Sequence, residues 1–314
     1  MLNTLIIYEG KYGTSKKTAE IVAYILGNTK VCTVEKAPKD LENYQNIIFV
    51  FGFYAYDTAK MIKSYVNEFK KQISIKNIGI IGVGISNFDF PKQIKEFATL
   101  LKRNEDISDF VEGELRINKL SKDDYNSLKM FSEKLDMPFK DCGKFKTENV
   151  IAVAEKFTKI MKTPDLKMPN NLLAKEIDLF IIKHNTCALA TGIGTFVRCT
   201  PIEYQYYKGK FYIITEGGMK FKGIIQNKTV SMSIADEYKS MKDLKGLQIS
   251  GLAKIVPSFN EEYFEVFKSK GIELSALEKL PIELYLIKVI PQKFEFLNAD
   301  FKKNNFNSKQ VLTC

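Results

Sequence analysis

The chain has 314 residues, 45% of them hydrophobic and none of them Trp. That is long for one average domain and suits two. Its longest apolar runs, such as Ile47-Ile48-Phe49-Val50-Phe51, are strand-sized and far short of the ~20 residues of a spanning helix, and the start, Met1-Leu2-Asn3-Thr4, has no basic stretch of a signal peptide.

The formal charge of +10 invites a nucleic-acid reading, but only three of the 47 basic residues are arginines (Arg103, Arg116, Arg198), and residues 1–163 and 164–314 carry the same +5. Base and phosphate recognition leans on the guanidinium fork, so a lysine-rich solvated surface is expected, with no nucleic-acid partner and no membrane span. The five cysteines are scattered without CxxC spacing and a single imidazole, His184, could join them. A metal site is not expected, and reduced thiols point to the cytoplasm.

In chain order, strand signals at Thr4–Tyr8, Val31–Val34, Ile47–Phe51 and Ile78–Gly82 alternate with helical patterns at Ser15–Leu26, Ala59–Lys71 and Pro91–Leu101. A strand-like piece, Phe110–Ile117, precedes helices Lys122–Leu135 and Glu148–Met161. This alternation predicts an α/β unit with a parallel sheet covered by helices on both faces. Two prolines in Thr163–Asn171 mark a linker. The boundaries expected are 1–163 for the first domain, 164–171 for the linker and 172–314 for the second domain.

Beyond the linker a helix, Leu172–Lys183, leads into β-rich runs at Cys187–Thr191, Val197–Tyr206, Lys210–Thr215, Thr229–Ile234, Leu247–Val256 and Pro281–Ile290, with one helix at Glu261–Lys270. Tyr207-Lys208-Gly209-Lys210 reads as a hairpin turn. This half is expected to be an antiparallel barrel or sandwich, with a polar, loose tail after Asn298.

Two segments carry chemistry. Tyr8–Ala19 (YEGKYGTSKKTA) lies between the first strand and the first helix, at the sheet edge where ligands bind near a switch in strand order. Its glycines, hydroxyls and helix-start N–H groups suit a phosphate; they equally suit a plain glycine turn with a Ser/Thr cap. The loops Gly52–Asp57 and Gly84–Asp89 emerge from the same edge with aromatics able to flank a flat ring or simply to bury themselves. In the second half, His184–Thr191, Arg198, Thr215 and Gly217–Gly223, with Lys220 and Lys222, form another candidate anion site.

The first 160 or so residues resemble a flavodoxin, and more closely the flavodoxin-like protoporphyrinogen oxidase subgroup, through Tyr8–Ala19 and Val111-Glu112-Gly113-Glu114-Leu115-Arg116. The resemblance implies a five-stranded parallel sheet with FMN at its carboxyl edge. Gly10, Lys11, Tyr12, Gly13, Thr14 and Ser15 would hold the phosphate, and Phe53, Tyr54, Ser86, Asn87 and Phe88 would flank the ring. Glu9-Gly10-Lys11-Tyr12 is bulkier and less hydroxylated than the usual loop, and a carboxylate at Glu9 would oppose a phosphate. Residues 172–291 resemble the pyridoxamine-phosphate-oxidase-like split barrel through Ala188–Thr191, the Arg198 strand, Phe211–Thr215, Lys220 and Ile249–Ala253. That likeness implies a six-stranded split barrel, a homodimer formed through it, and a flavin phosphate met by Arg198, Thr215, Lys220 and Lys222.

Together the halves are similar to flavodoxin-plus-barrel proteins of anaerobic haem utilisation, of the anaerobilin-reductase type. The likeness implies an FMN-dependent reductase holding one or two FMN, taking electrons from a cellular donor and acting on a conjugated small molecule such as a haem-derived linear tetrapyrrole, with haem as a further ligand or substrate. Tyr54, Tyr56 and Tyr204 are the candidate proton donors; His184 reads first as a structural cap or a surface residue, with a haem-ligand or proton-donor role as its alternative. A general flavin, quinone or nitro reductase, or a non-enzymatic carrier of electrons, haem or flavin, are the alternatives.

Overall fold

The computed structural model describes residues 4–53, 58–102, 107–134, 136–161, 166–277 and 279–314. The chain divides into two compact units, Met1–Asp165 and Leu166–Cys314. Tyr54, Tyr56 and Arg103 lie outside the described residues.

In the first unit, strands β1 (Thr4–Glu9), β2 (Thr29–Thr33), β3 (Asn46–Gly52), β4 (Asn77–Gly84) and β5 (Ile107–Glu112) form a parallel sheet in the order β2-β1-β3-β4-β5. Every residue of β3 is buried, as a central parallel strand covered on both faces requires. Alternate residues serve opposite cores. Leu5, Ile7, Phe49 and Phe51 pack with helices α2 (Lys60–Glu68), α3 (Lys70–Ile73) and α4 (Phe90–Leu101). Ile6, Ile48, Val50 and Ile81 pack with α1 (Thr14–Leu26) and with residues of 147–160 on the other face. The single helix expected over Ala59–Lys71 is broken at Phe69, whose ring packs 4.7 Å from that of Tyr65.

The strand expected over Phe110–Ile117 is instead β5 plus a two-residue strand β6 (Glu114–Leu115). Gly113 separates them, its N–H given to the Gly84 carbonyl at 2.7 Å. From β6 the chain makes an excursion through α5 (Lys122–Lys134) and returns along β7 (Cys142–Gly143), which pairs with β6, before α6 (Thr147–Ile160) completes the layer beside α1.

The second unit opens with α7 (Asn170–Lys183). Strands β8 (Thr186–Ile193), β9 (Phe196–Glu203), β10 (Gln205–Tyr207), β11 (Lys210–Thr215), β12 (Thr229–Ala235), β13 (Lys245–Val256), β14 (Tyr285–Asn298) and β15 (Lys309–Thr313) form one antiparallel, curled half-barrel. Helices α8 (Lys220–Gln226), α9 (Glu261–Ser269) and the short α10 (Leu274–Leu277) flank it. β12 alternates exposed and buried residues along its whole length, the pattern of a sheet with one face on a core.

Tyr204 splits the long strand expected over Val197–Tyr206 into β9 and β10, because its side chain turns into the core. The β10–β11 turn has positive φ at both Lys208 (49°) and Gly209 (72°), the handedness that matches strand twist in a two-residue hairpin.

Three expectations are corrected. The sheet has eight strands rather than six. The last long strand starts at Tyr285 and runs on to Asn298, beyond the expected Ile290. The tail after Asn298 is ordered, since Phe301 is buried and β15 adds to β14. The apolar residues Phe301, Phe306 and Leu312, spaced among polar ones, explain this: they pack against the barrel core. Met168, within the expected linker, is buried in that same core.

Candidate functional site

The strand order places the switch point between β1 and β3, so the loops after β1, β3, β4 and β5 share one edge. There they enclose a cavity of about 410 Å³, within the range of small-ligand sites. Thr14 and Ser15 of α1 line it, with Gly52 and Phe53 at the end of β3, Gly84 and Ile85 at the end of β4, and Gly113 and Leu115 after β5. One face of α5 closes it, through Asp124, Ser127, Leu128 and Phe131.

The geometry at the start of α1 suits an anion. Gly13 caps α1 at φ 92°, in the left-handed region, and the first turn of α1 contains no acidic residue. Its first N–H groups have no partner within the helix, and the helix dipole there favours an anion. Ser15 is buried at the cavity edge.

Phe53 is held by Phe51, Phe90 and Phe110, with centroid distances of 5.6, 6.2 and 5.8 Å. A Cβ on Gly84 would meet Phe53 at 3.1 Å, so the glycine lets Phe53 pack closely against the end of β4 at the cavity. These residues fit FMN: anion-ready N–H groups at one end, and an aromatic side chain and bare backbone at the other.

Glu9 does not oppose a phosphate through its Oε2, which accepts the Ile62 N–H at 2.9 Å in the first turn of α2. That helix has no side-chain cap of its own, so Glu9 serves it. Gly10 and Lys11 line a second hollow of about 320 Å³ beside the β2 end, and Lys11 reaches both. Ser86, Asn87 and Phe88 are exposed and do not line the 410 Å³ cavity.

The sequence reading placed the helix over Lys122–Leu135, and what it missed is that one face of α5 closes the cavity. Lys11 Nζ lies 3.2 Å from Asp124 Oδ1, and the Tyr12 hydroxyl makes a very short hydrogen bond to the same carboxylate. Tyr12 also accepts the Ser121 N–H at 3.2 Å. The Tyr12 hydrogen bond first, then those from Lys11 and Ser121, hold the Asp124 carboxyl below its ordinary range. The spacing Asp124, Ser127, Leu128, Phe131 was the available signal, because it is one helical face.

In the barrel, Lys220 is only 7% exposed. Its ammonium donates to the Gly217 carbonyl, and burial followed by the nearby Arg198 charge lowers its pKa. Thr215 is buried and its hydroxyl lies 3.4 Å from the same carbonyl. Lys222 stands 4.6 Å from the Phe196 ring centroid. Arg198 is exposed on β9 opposite Thr191, whose buried hydroxyl has no hydrogen-bond partner.

The other proton-donor candidates are committed elsewhere. Tyr204 is buried and donates to the Ile181 carbonyl at 2.7 Å, and burial raises its pKa. His184 places Nδ1 2.7 Å from the Phe180 carbonyl and Nε2 2.9 Å from Asp236 Oδ1, joining the end of α7 to the end of β12. Among the described residues no cluster of three or more His, Cys, Asp or Glu could hold a metal, no helix is long and apolar enough to cross a membrane, and the cysteines are free thiols.

Several solved structures are similar to parts of the chain. A Listeria innocua protein assigned as a pyridoxamine 5'-phosphate oxidase is 22% identical, covering 40% of this chain and 98% of its own, with a TM-score of 0.33. HutZ, the heme storage protein of Vibrio cholerae, is 19% identical over 38% of this chain and 89% of its own, at 0.33. Campylobacter jejuni ChuZ is 16% identical over 55% and 73%, at 0.37. No curated protein matches. Residues 5–136 match the family described as Flavodoxin domain, a span that runs from β1 through the loop before α1 and the other four strands to the end of α5. The match covers less than half of the chain and makes its parallel-sheet unit flavodoxin-like.

Proposed function

We propose that the protein is an FMN-dependent oxidoreductase whose flavodoxin unit receives electrons and whose barrel presents a conjugated substrate. One observation carries this reading: the 410 Å³ cavity at the switch point, with the N-terminus of α1 at one end and Phe53, Gly84 and Gly113 at the other. Thr14, Ser15 and the N–H groups of that helix would hold the phosphate, and Phe53, Ile85 and Gly113 would orient the ring. Bound FMN would supply one- and two-electron transfer. The protein's own contribution is to fix the ring's plane and to keep water off it with Leu120, Leu128 and Phe131 of the excursion.

In the barrel, Arg198, Thr215, Lys220 and Lys222 gather positive charge and hydroxyls suited to a second flavin phosphate or to a substrate's carboxylates. A haem-derived linear tetrapyrrole, carrying both a flat conjugated body and carboxylates, suits that chemistry, as does haem itself as ligand or substrate. The reading includes a cytoplasmic setting, a cellular electron donor and a homodimer formed through the barrel.

The test is a visible spectrum with flavin stoichiometry on the purified protein, followed by anaerobic mixing of the reduced flavoprotein with haem, linear tetrapyrroles, quinones and nitroaromatics. Bleaching of the tetrapyrrole band with reoxidation of the flavin is expected. Turnover of quinones or nitroaromatics alone would make it a general reductase. Tight binding without turnover of any of them would make it a carrier.

A further inference from the structure

We propose that Asp124 is an internal stand-in for the ligand's phosphate: its carboxylate occupies the phosphate loop's side chains, and an incoming phosphate must displace it. This rests on the flavin reading of the cavity and adds a control device to it.

Three observations carry the proposal. The first is chemical identity. Lys11 and Tyr12, both in the loop between β1 and α1, turn their cationic and hydroxyl groups to one carboxylate. A carboxylate and a phosphate present the same acceptor oxygens to such donors. Asp124 therefore satisfies side chains that a phosphate at the start of α1 would otherwise recruit.

The second is how α5 is held. Ser121 caps the helix, accepting the Asp124 N–H through its side chain at 3.2 Å and the Tyr125 N–H through its carbonyl at 2.8 Å. Ser132 is the one buried residue of α5. A helix with so little buried surface has little hydrophobic anchorage, so its bonds to the loop weigh heavily in keeping it seated.

The third is placement. Asp124 shares a helical face with Ser127, Leu128 and Phe131, all of which line the cavity. The residue that meets the phosphate loop is thus on the same rigid face as those over the ring space, and a change at one end is felt at the other.

A phosphate arriving at α1 shares the cavity with the Asp124 charge and competes with it for Lys11. The bound phosphate takes over Lys11 and Tyr12, and Asp124 is released. Phosphate-free riboflavin fills the ring space without this exchange.

The experiment compares FMN with riboflavin, using intact wild-type, Asp124→Asn and Asp124→Ala proteins, with affinities from flavin fluorescence quenching. Both variants are expected to raise the ratio of FMN affinity to riboflavin affinity about tenfold over wild type. Hydrogen exchange of wild-type protein, at equal saturation with each flavin, provides a readout that needs no variant. Peptides covering 121–134 should exchange faster with FMN bound than with riboflavin bound.

Equal changes for both flavins, a fall in FMN affinity relative to riboflavin in the variants, or identical exchange under the two flavins would each overturn the proposal while leaving the flavin site standing. If neither flavin binds any of the three proteins, the flavin reading itself fails and the proposal with it.

Discussion

The two candidate anion sites differ in how their cations are answered. In the flavodoxin-like unit, Lys11 is met by Asp124, so the loop is electrostatically closed before any ligand arrives. In the barrel, Lys220 and Arg198 sit together with no carboxylate partner among the described residues, and the buried ammonium has only a backbone carbonyl to donate to. The first site exchanges one anion for another at modest net gain. The second has already borne the desolvation of a charge, and an anion arriving there meets unanswered positive charge. Sites of the first kind are suited to control, and those of the second to firm retention.

The largest expected effect tests whether the two units can be compared separately at all. Phe49 and Phe211 are each fully buried, one in each unit's core. Truncating either to Ala should cost about 3–5 kcal/mol. Calorimetry should show two transitions, with Phe49→Ala lowering one and Phe211→Ala the other. A single transition moved by both variants would break the comparison.

Next in size is Gly84→Val. The added side chain meets Phe53 at the ring end of the cavity, and flavin affinity of that unit should fall about 100-fold, or about 2.7 kcal/mol. Stoichiometry by absorbance should drop by one flavin.

Lys220→Met sharpens the contrast from the other side. It should leave the flavodoxin unit's flavin in place and weaken binding of phosphate-bearing ligands by the barrel about tenfold. It should also raise the barrel's melting temperature, since it removes a buried charge that no carboxylate balances. A lower melting temperature would show that the ammonium is structurally satisfied.

The smallest effect is a pH dependence confined to the barrel. Lys245 and Lys303 bond Asp300 and depress its pKa to about 2. A depressed carboxylate contributes stability that is full above its unfolded value of about 3.9 and is lost as pH falls through about 2. The pairs are partly exposed, so screening keeps the effect small. Asp300→Asn should flatten the barrel transition's response between those pH values without changing the other transition.

The fold was legible where one signal ruled. The all-apolar run Ile47–Phe51 and the helix Ser15–Leu26 could be read directly, because burial on two faces and a helical stripe leave different periods. Gly10–Ser15 could be placed at a ligand edge for the same reason.

Legibility failed where contacts distant in sequence decide the local structure. The strand expected to run to Ile117 is interrupted because Gly113 bonds Gly84 of a neighbouring strand. Tyr204, read as a proton donor, is drawn into the core by a carbonyl of α7. Asp124, more than a hundred residues from Lys11, had no local mark beyond its place on a helix face. The tail's polar composition hid Phe301 and the β15 pairing, which depend on an edge of β14 that only the folded sheet provides.

That tail also has a topological consequence. The Asn307 N–H bonds the Leu166 carbonyl at 2.9 Å, and the Gln310 side chain accepts the Met168 N–H at 3.0 Å, so the barrel unit's two ends are stapled side by side. A module whose ends meet can be circularly permuted, or spliced into a surface loop of a host protein, without stretching its framework. The exposed hairpin at Lys208-Gly209 offers the place to open new termini.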